Sequence, residues 1–285
     1  MAESPDEAVD RRGKGGQHVG LLVNSFAGGG AERAALLVAA GWPTTIPLTL
    51  VVARATGPLA TDRPAQVPVV ELAVWPSPRH LVRFATRLRR AVREQQITGL
   101  IAIGFGMTHM TLLTGALGLL KGVRVVAVEQ TNMGRSLTAR FPNWFARTCV
   151  RSVTAALYRR ADAIVAVSQG AADDLNEQLR LPSSAITTIH NPVDTARIEG
   201  ASSRSSEGPP DLERSPRPLI VTAGRLTNVK GHADLLTAFA ALPERHRGTL
   251  VILGEGPLRP DLEQHARHLG ITDHLWMPGF VKNPW

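Results

Sequence analysis

In PLIVTAGRLTNVKGHADLL, Arg225 and Lys230 stand close together where an apolar strand gives way to a helix, with Gly224 and Gly231 beside them. A guanidinium fork and a compact ammonium at a helix start, where free N–H groups and the positive dipole end also point, make a site for an anion such as a diphosphate. Like charges tolerate each other when an anion lies between them. Spacing alone leaves a second option open, two solvated loop cations. The Walker pattern GxxxxGK[ST] is absent, because the lysine of GRLTNVKG precedes its glycine and no Ser or Thr follows.

A second group of candidates lies in the first half of the chain. Gly29 and Gly30 of SFAGGGAER follow a strand and open a helix, where backbone can touch a ligand or simply turn. The GxGxxG spacing is missing and no acidic residue ends the next strand, LTLVVARA, which argues against dinucleotide binding. His109 in GFGMTHMTLL follows a strand end, where it could meet an acceptor hydroxyl or serve only the structure. Glu129 in VAVEQTN ends another strand, with bonding to local backbone as the equal alternative. No DxD metal signature occurs, and no cofactor is expected.

These residues need a scaffold. The apolar runs HVGLLVN, LTLVVA, GLIAIG, VRVVAVE and AIVAVS alternate with helical stretches, and a short ITTIH follows. Near-continuous apolar strands between helices predict a parallel sheet covered on both faces. Residues 199–217 are rich in Ser, Pro, Gly and charge and read as a linker or loop. The rhythm then restarts with PLIVTAG, HADLLTAFAAL, TLVILG, PLRPDLEQHARHLG and HLWMP. The expected organisation is a disordered tail at 1–17, one α/β domain at 18–198, the linker, and a partial α/β domain at 218–285.

The 285 residues are 44% hydrophobic, enough for a sizeable core, and the single cysteine, Cys149, excludes an internal disulfide. No apolar run reaches the roughly 18 to 20 residues of a membrane span, and the N-terminus lacks the apolar core of a signal peptide. The expected setting is cytoplasmic, with peripheral attachment to the inner face of the membrane. A net charge of +8 points toward polyanions. Within RHLVRFATRLRRAVREQQ, helical spacing puts Leu81, Phe84, Leu88 and Val92 on one face and Arg79, Arg83, Arg87, Arg90 and Arg93 opposite. Packing of the apolar face leaves a basic face for solvent or for anionic lipid. Only 5% of residues are aromatic and no nucleic-acid motif occurs, so nucleic acid is not the expected partner.

In order and spacing, GGGAER, AIVAVSQGAADDL, ITTIHNPVD, TAGRLTNVKGHADLLTAFAAL and VILGEGPLRPDLEQHARHLGITDHLWMPGFV resemble the family-4 retaining glycosyltransferases of the GT-B fold. The resemblance runs from about His18 to Trp285. It implies an α/β, GT-B-like protein of two Rossmann-like domains with parallel sheets, the second incomplete. It implies transfer of a sugar from a UDP- or GDP-sugar donor to a glycan or lipid-linked acceptor with retention, in assembly of a surface polysaccharide or glycolipid. Arg225 and Lys230 match the family's pair on the donor diphosphate, and Gly29 and Gly30 its first glycine loop. Gly254 and Gly256 match the loop after the next strand, and Phe280 and Val281 the segment that meets the nucleobase. The family continues into a segment with two glutamates separated by seven residues that this sequence does not contain. The expectation is a C-terminally truncated enzyme, weak or inactive by itself. The alternative is a non-catalytic remnant that binds through its first domain.

Overall fold

The computed structural model describes residues 16–141, 143–202 and 218–281. Most of the expected tail, 1–15, and of the expected linker, 203–217, lies outside the described residues. The chain divides into two units, Met1–Val193 and Asp194–Trp285.

The first unit holds β1 (Val19–Val23), α1 (Gly30–Ala40), β2 (Leu48–Val52), β3 (Val69–Glu71), α2 (Leu81–Glu94), β4 (Gly99–Ile103) and α3 (Phe105–Ala116). After these come β5 (Arg124–Glu129), α4 (Met133–Arg140), α5 (Trp144–Tyr158), β6 (Ala163–Ala166), α6 (Gln169–Leu179) and β7 (Ile186–Thr188). The strands form one sheet in the order β3-β2-β1-β4-β5-β6-β7, every neighbouring pair parallel. All five residues of β2 are buried, which is why that stretch reads as an unbroken apolar run. Side chains of α2 to α6 share one core on one face of the sheet, with Phe84, Leu88, Met107, Leu137, Tyr158 and Leu175 fully enclosed. Ala35, Leu36 and Ala39 of α1 pack into a separate core on the other face. Helices α4, α5 and α6 begin where side chains satisfy free amides. Asn132 accepts from the Arg135 amide, Asn143 from those of Phe145 and Ala146, and Ser168 from that of Ala171.

The second unit contains α7 (Thr195–Ser202), β8 (Leu219–Ala223), α8 (His232–Ala240), β9 (Thr249–Leu253), α9 (Arg259–His268) and β10 (Leu275–Gly279). Its sheet is parallel in the order β10-β9-β8. Leu236, Phe239, Leu250, Ile252 and Leu262 form its core, together with Leu226 from the loop after β8.

Three details differ from the sequence reading. The strand β3 is additional. Helix α7 runs to Ser202, so residues 199–202 are helical, not linker. Strand β8 is not buried on both faces: Leu219 and Val221 are about half exposed, and only alternate residues turn toward the core.

Candidate functional site

The ends of β8, β9 and β10 lock together through main chain. The Gly224 amide donates to Leu253 O at 2.9 Å, the Leu226 amide to Glu255 O at 2.9 Å, and the Gly254 amide to Gly279 O at 2.7 Å. These bonds require backbones to lie almost in contact. Gly254 has φ 142°, and a Cβ there would stand 2.0 Å from Gly224 O; one on Gly256 would stand 2.4 Å from Leu226 O. Both glycines therefore make room for the loop after β8. Packing alone accounts for a glycine at each position, which the family resemblance associates with the nucleotide.

This block fixes the two cations. The Leu226 side chain is fully enclosed in the core, anchoring the turn and leaving its neighbour Arg225 exposed. Lys230 closes a short 3₁₀ turn, and its amide donates to Thr227 O at 3.0 Å. Gly231 then takes φ 66°, a left-handed conformation that suits glycine, and leads into α8. The Lys230 stem lies over Gly224, with Cδ and Cε 3.6 Å from where a Cβ would be. Among the described residues, no ion pair engages Arg225 or Lys230. Arg259, the first residue of α9, is different: it holds Glu255 at 2.9 Å and Glu263 at 3.0 Å. Neutralisation is thus available in this unit, yet Arg225 and Lys230 are left without it.

His232, absent from the sequence reading, opens α8 directly behind Lys230. It is 3% exposed, and its Nδ1 has no hydrogen-bond partner among the described residues. Burial and then the Lys230 charge lower its pKa. Phe280, just past β10, is largely exposed and Val281 half-buried.

In the first unit, strand order reverses between β1 and β4, and a crevice for ligands forms at such a point beyond the carboxyl ends of the strands. The loop after β1 carries Gly29 as the cap of α1 and Gly30 as its first residue. A Cβ on Gly30 would meet nothing within 4 Å, so the fold itself leaves that position open. The loop after β4 turns at Gly104, φ 88°, which caps α3. Beside these loops, Asn24 keeps a buried Oδ1 without a partner among the described residues. Sequence reading passed over Asn24 because one asparagine after a strand carries no signal. A cavity of about 350 Å³ lined by Leu112, Ala116, Leu120, Val123 and Arg160 lies at the other ends of the strands.

His109 and Glu129 face inward. The imidazole meets Phe105 O through Nδ1 at 2.7 Å and the Thr154 hydroxyl through Nε2 at 2.8 Å, tying α3 to α5. Nδ1 donates to the carbonyl, and in the neutral ring Nε2 accepts from the hydroxyl. Burial, the largest cause, pushes its pKa down to about 4. With both nitrogens occupied, nothing remains to meet an acceptor hydroxyl. Glu129 is fully enclosed; it accepts from the Thr131 hydroxyl at 3.0 Å, the Thr131 and Gln130 amides at 3.2 Å, and the Tyr158 hydroxyl at 3.0 Å. Burial raises its pKa, and these donors oppose the rise. It is a satisfied structural carboxylate.

The arginine face of α2 is also changed. Arg87 Nη1 donates to Leu72 O at 2.5 Å and Ala73 O at 2.9 Å, closing the chain after β3. Arg90 pairs with Glu94 at 2.6 Å, and Arg79, Arg83 and Arg93 are exposed.

A family profile described as Glycosyltransferase Family 4 matches residues 28–197, and one described as Glycosyl transferases group 1 matches residues 206–285. Alpha-D-kanosaminyltransferase of Streptomyces kanamyceticus is 24% identical over 210 residues, 71% of this chain and 52% of its own length. The N-acetylgalactosamine-N,N'-diacetylbacillosaminyl-diphospho-undecaprenol 4-alpha-N-acetylgalactosaminyltransferase of Campylobacter jejuni is 30% identical over 129 residues, 45% of this chain and 33% of its own length. The matched stretch spans about half the first relative and a third of the second. Among solved structures, Anabaena HepE in complex with UDP-glucose aligns with a TM-score of 0.65 at 17% identity, over 93% of this chain and 70% of that one. That likeness shows the fold, an α/β arrangement of GT-B type.

Proposed function

Starting from the fact that this chain belongs to glycosyltransferase family 4, we propose that it binds a nucleoside diphosphate sugar and moves the sugar to a glycan or lipid-linked acceptor with retention at the anomeric carbon. The observation that carries the reading is the pair Arg225 and Lys230, left unneutralised at the locked strand ends beside a helix start. In the transfer, the bond from the anomeric carbon to the diphosphate oxygen breaks, one to the acceptor oxygen forms, and the acceptor hydroxyl proton passes to the departing diphosphate. Negative charge grows on the departing diphosphate. Cations there stabilise that charge, and the main chain that carries them is anchored by the enclosed Leu226, with the Lys230 stem lying over Gly224.

The open position at Gly30, with Gly29 before it, receives the donor's phosphate or sugar. Phe280 and Val281 offer an apolar edge for the base. Gly254 and Gly256 serve indirectly by letting the loops interlock. His109 and Glu129 hold the first unit together and are not assigned the acceptor proton. The UDP-glucose bound to HepE supports a uridine donor, and the undecaprenol-linked name of the Campylobacter relative supports a lipid-linked acceptor.

Thermal-shift titration with UDP- and GDP-sugars tests the donor site. Stabilisation by one series should weaken about tenfold or more in Arg225→Ala, the loss of one charged hydrogen bond to phosphate. No response from any nucleotide would reject the donor reading and favour a module that binds through its first unit.

A further inference from the structure

The exposed side of α5 carries no charge. Two adjacent rows at i, i+4 spacing, Trp144, Thr148 and Ser152 beside Phe145, Cys149 and Val153, are all exposed. A surface helix ordinarily turns charged residues toward water on that side. The two aromatic rings meet edge to face at 6.0 Å, and both are about two-thirds exposed. Arg147 and Arg151 sit half-buried on the same helix, and Arg135 is exposed on α4.

The charge distribution says what meets this side. Residues 72–161 contain 14 of the 32 basic residues but only two of the 24 acidic ones, Glu94 and the enclosed Glu129. Their net charge of +12 exceeds the +8 of the whole chain. Helices α2, α3 and α5 pack side by side in one layer on one face of the sheet, so the exposed arginines of α2 share that layer with the aromatic pair. Val82 on α2 and Leu117 after α3 add exposed apolar groups.

We infer that this helical layer lies on an anionic lipid bilayer, with Trp144 and Phe145 entering the interface. A second copy docking on the same patch would set two strongly positive surfaces together, which disfavours self-association. Trp suits the boundary between headgroups and acyl chains, and arginine stems bury beside it while their guanidinium groups stay among phosphates. No helix among the described residues is long and apolar enough to cross a membrane, so these helices meet the bilayer only at its surface. The inference does not rest on the transferase reading, and the nucleotide titration and vesicle assay can fail separately.

Flotation of the full chain with phosphatidylcholine vesicles, with and without phosphatidylglycerol, tests it. Binding is expected only with the anionic lipid and weakens at high salt. Trp144→Ser with Phe145→Ser should lower partitioning by about tenfold or more while leaving the circular dichroism spectrum unchanged. Brominated acyl chains should quench the wild-type fluorescence and leave Trp144→Phe largely unquenched, although that variant still binds. Undiminished binding by the double Ser variant overturns the inference. So does equal flotation on neutral vesicles, or a wild-type dimer that the double variant turns into monomer, which would make the patch a protein interface.

Discussion

Acidification from about pH 7.5 to about pH 5 should cost the first unit as much as about 2 kcal/mol through His109 alone. In the neutral ring Nδ1–H donates to Phe105 O and Nε2 accepts a hydrogen bond from the Thr154 hydroxyl. Phe105 stacks 4.0 Å from it and Tyr158 lies at 5.7 Å. Its pKa falls from 6.5 to about 4, chiefly through burial. The unfolded chain takes up the proton near 6.5, while the folded one resists until about 4. The contribution is therefore complete above 6.5 and disappears as pH falls toward 4; the full 2.5-unit gap corresponds to about 3.4 kcal/mol. The ring is not wholly shielded from water, so these are upper values. His109→Gln keeps a donor and an acceptor but cannot titrate. Urea unfolding at both pH values, read by circular dichroism, should give a flatter pH dependence for the variant. Parallel profiles for the two proteins would refute the argument.

Tyr158 is the chain's single tyrosine, and burial followed by the Glu129 charge raises its pKa well above the ordinary value. Phenolate absorbance should stay silent through the normal tyrosine range and appear only as the fold opens; a reversible titration near pH 10 would contradict this. Gly254→Ala should destabilise the second unit by about 3 kcal/mol or more, because φ 142° and the 2.0 Å approach to Gly224 O both exclude a side chain. A thermal melt unchanged from wild type would show that the loops give way. Asp174 of α6 receives the Met133 amide at 2.5 Å and the Gly134 amide at 3.1 Å, satisfying the start of α4. Asp174→Ala should cost about 1 to 2 kcal/mol in chemical denaturation and raise amide exchange along α4.

The alternation of strands and helices was legible because β2, β4, β5 and β6 are buried by helices or loops on both sides and show as apolar runs. Strand β3 escaped notice because Val69–Glu71 follows Pro64 and Pro68 in a stretch that reads as loop. The same apolar signature misled at β8, since composition does not tell whether both faces are covered. At the candidate site, the placement of Arg225 and Lys230 was readable because it is local, two cations at a strand-to-helix turn. His109 and Glu129 were not, because their partners Thr154 and Tyr158 stand 45 and 29 residues away. Gly254 is conspicuous in GEGP, yet its reason is a carbonyl thirty residues earlier. Asn24 and His232 became visible only as buried atoms left without partners.

The interlocked ends of β8, β9 and β10 set a rule for redesign. Since Gly224, Gly254, Glu255 and Gly279 are joined backbone to backbone, a loop transplanted from another protein into any one of them would arrive without its mates and misfit. The three connections form a cassette that must travel together. If the proposed donor site is right, changes of sugar or base preference are to be sought first in side chains that project from the cassette, such as the exposed Phe280.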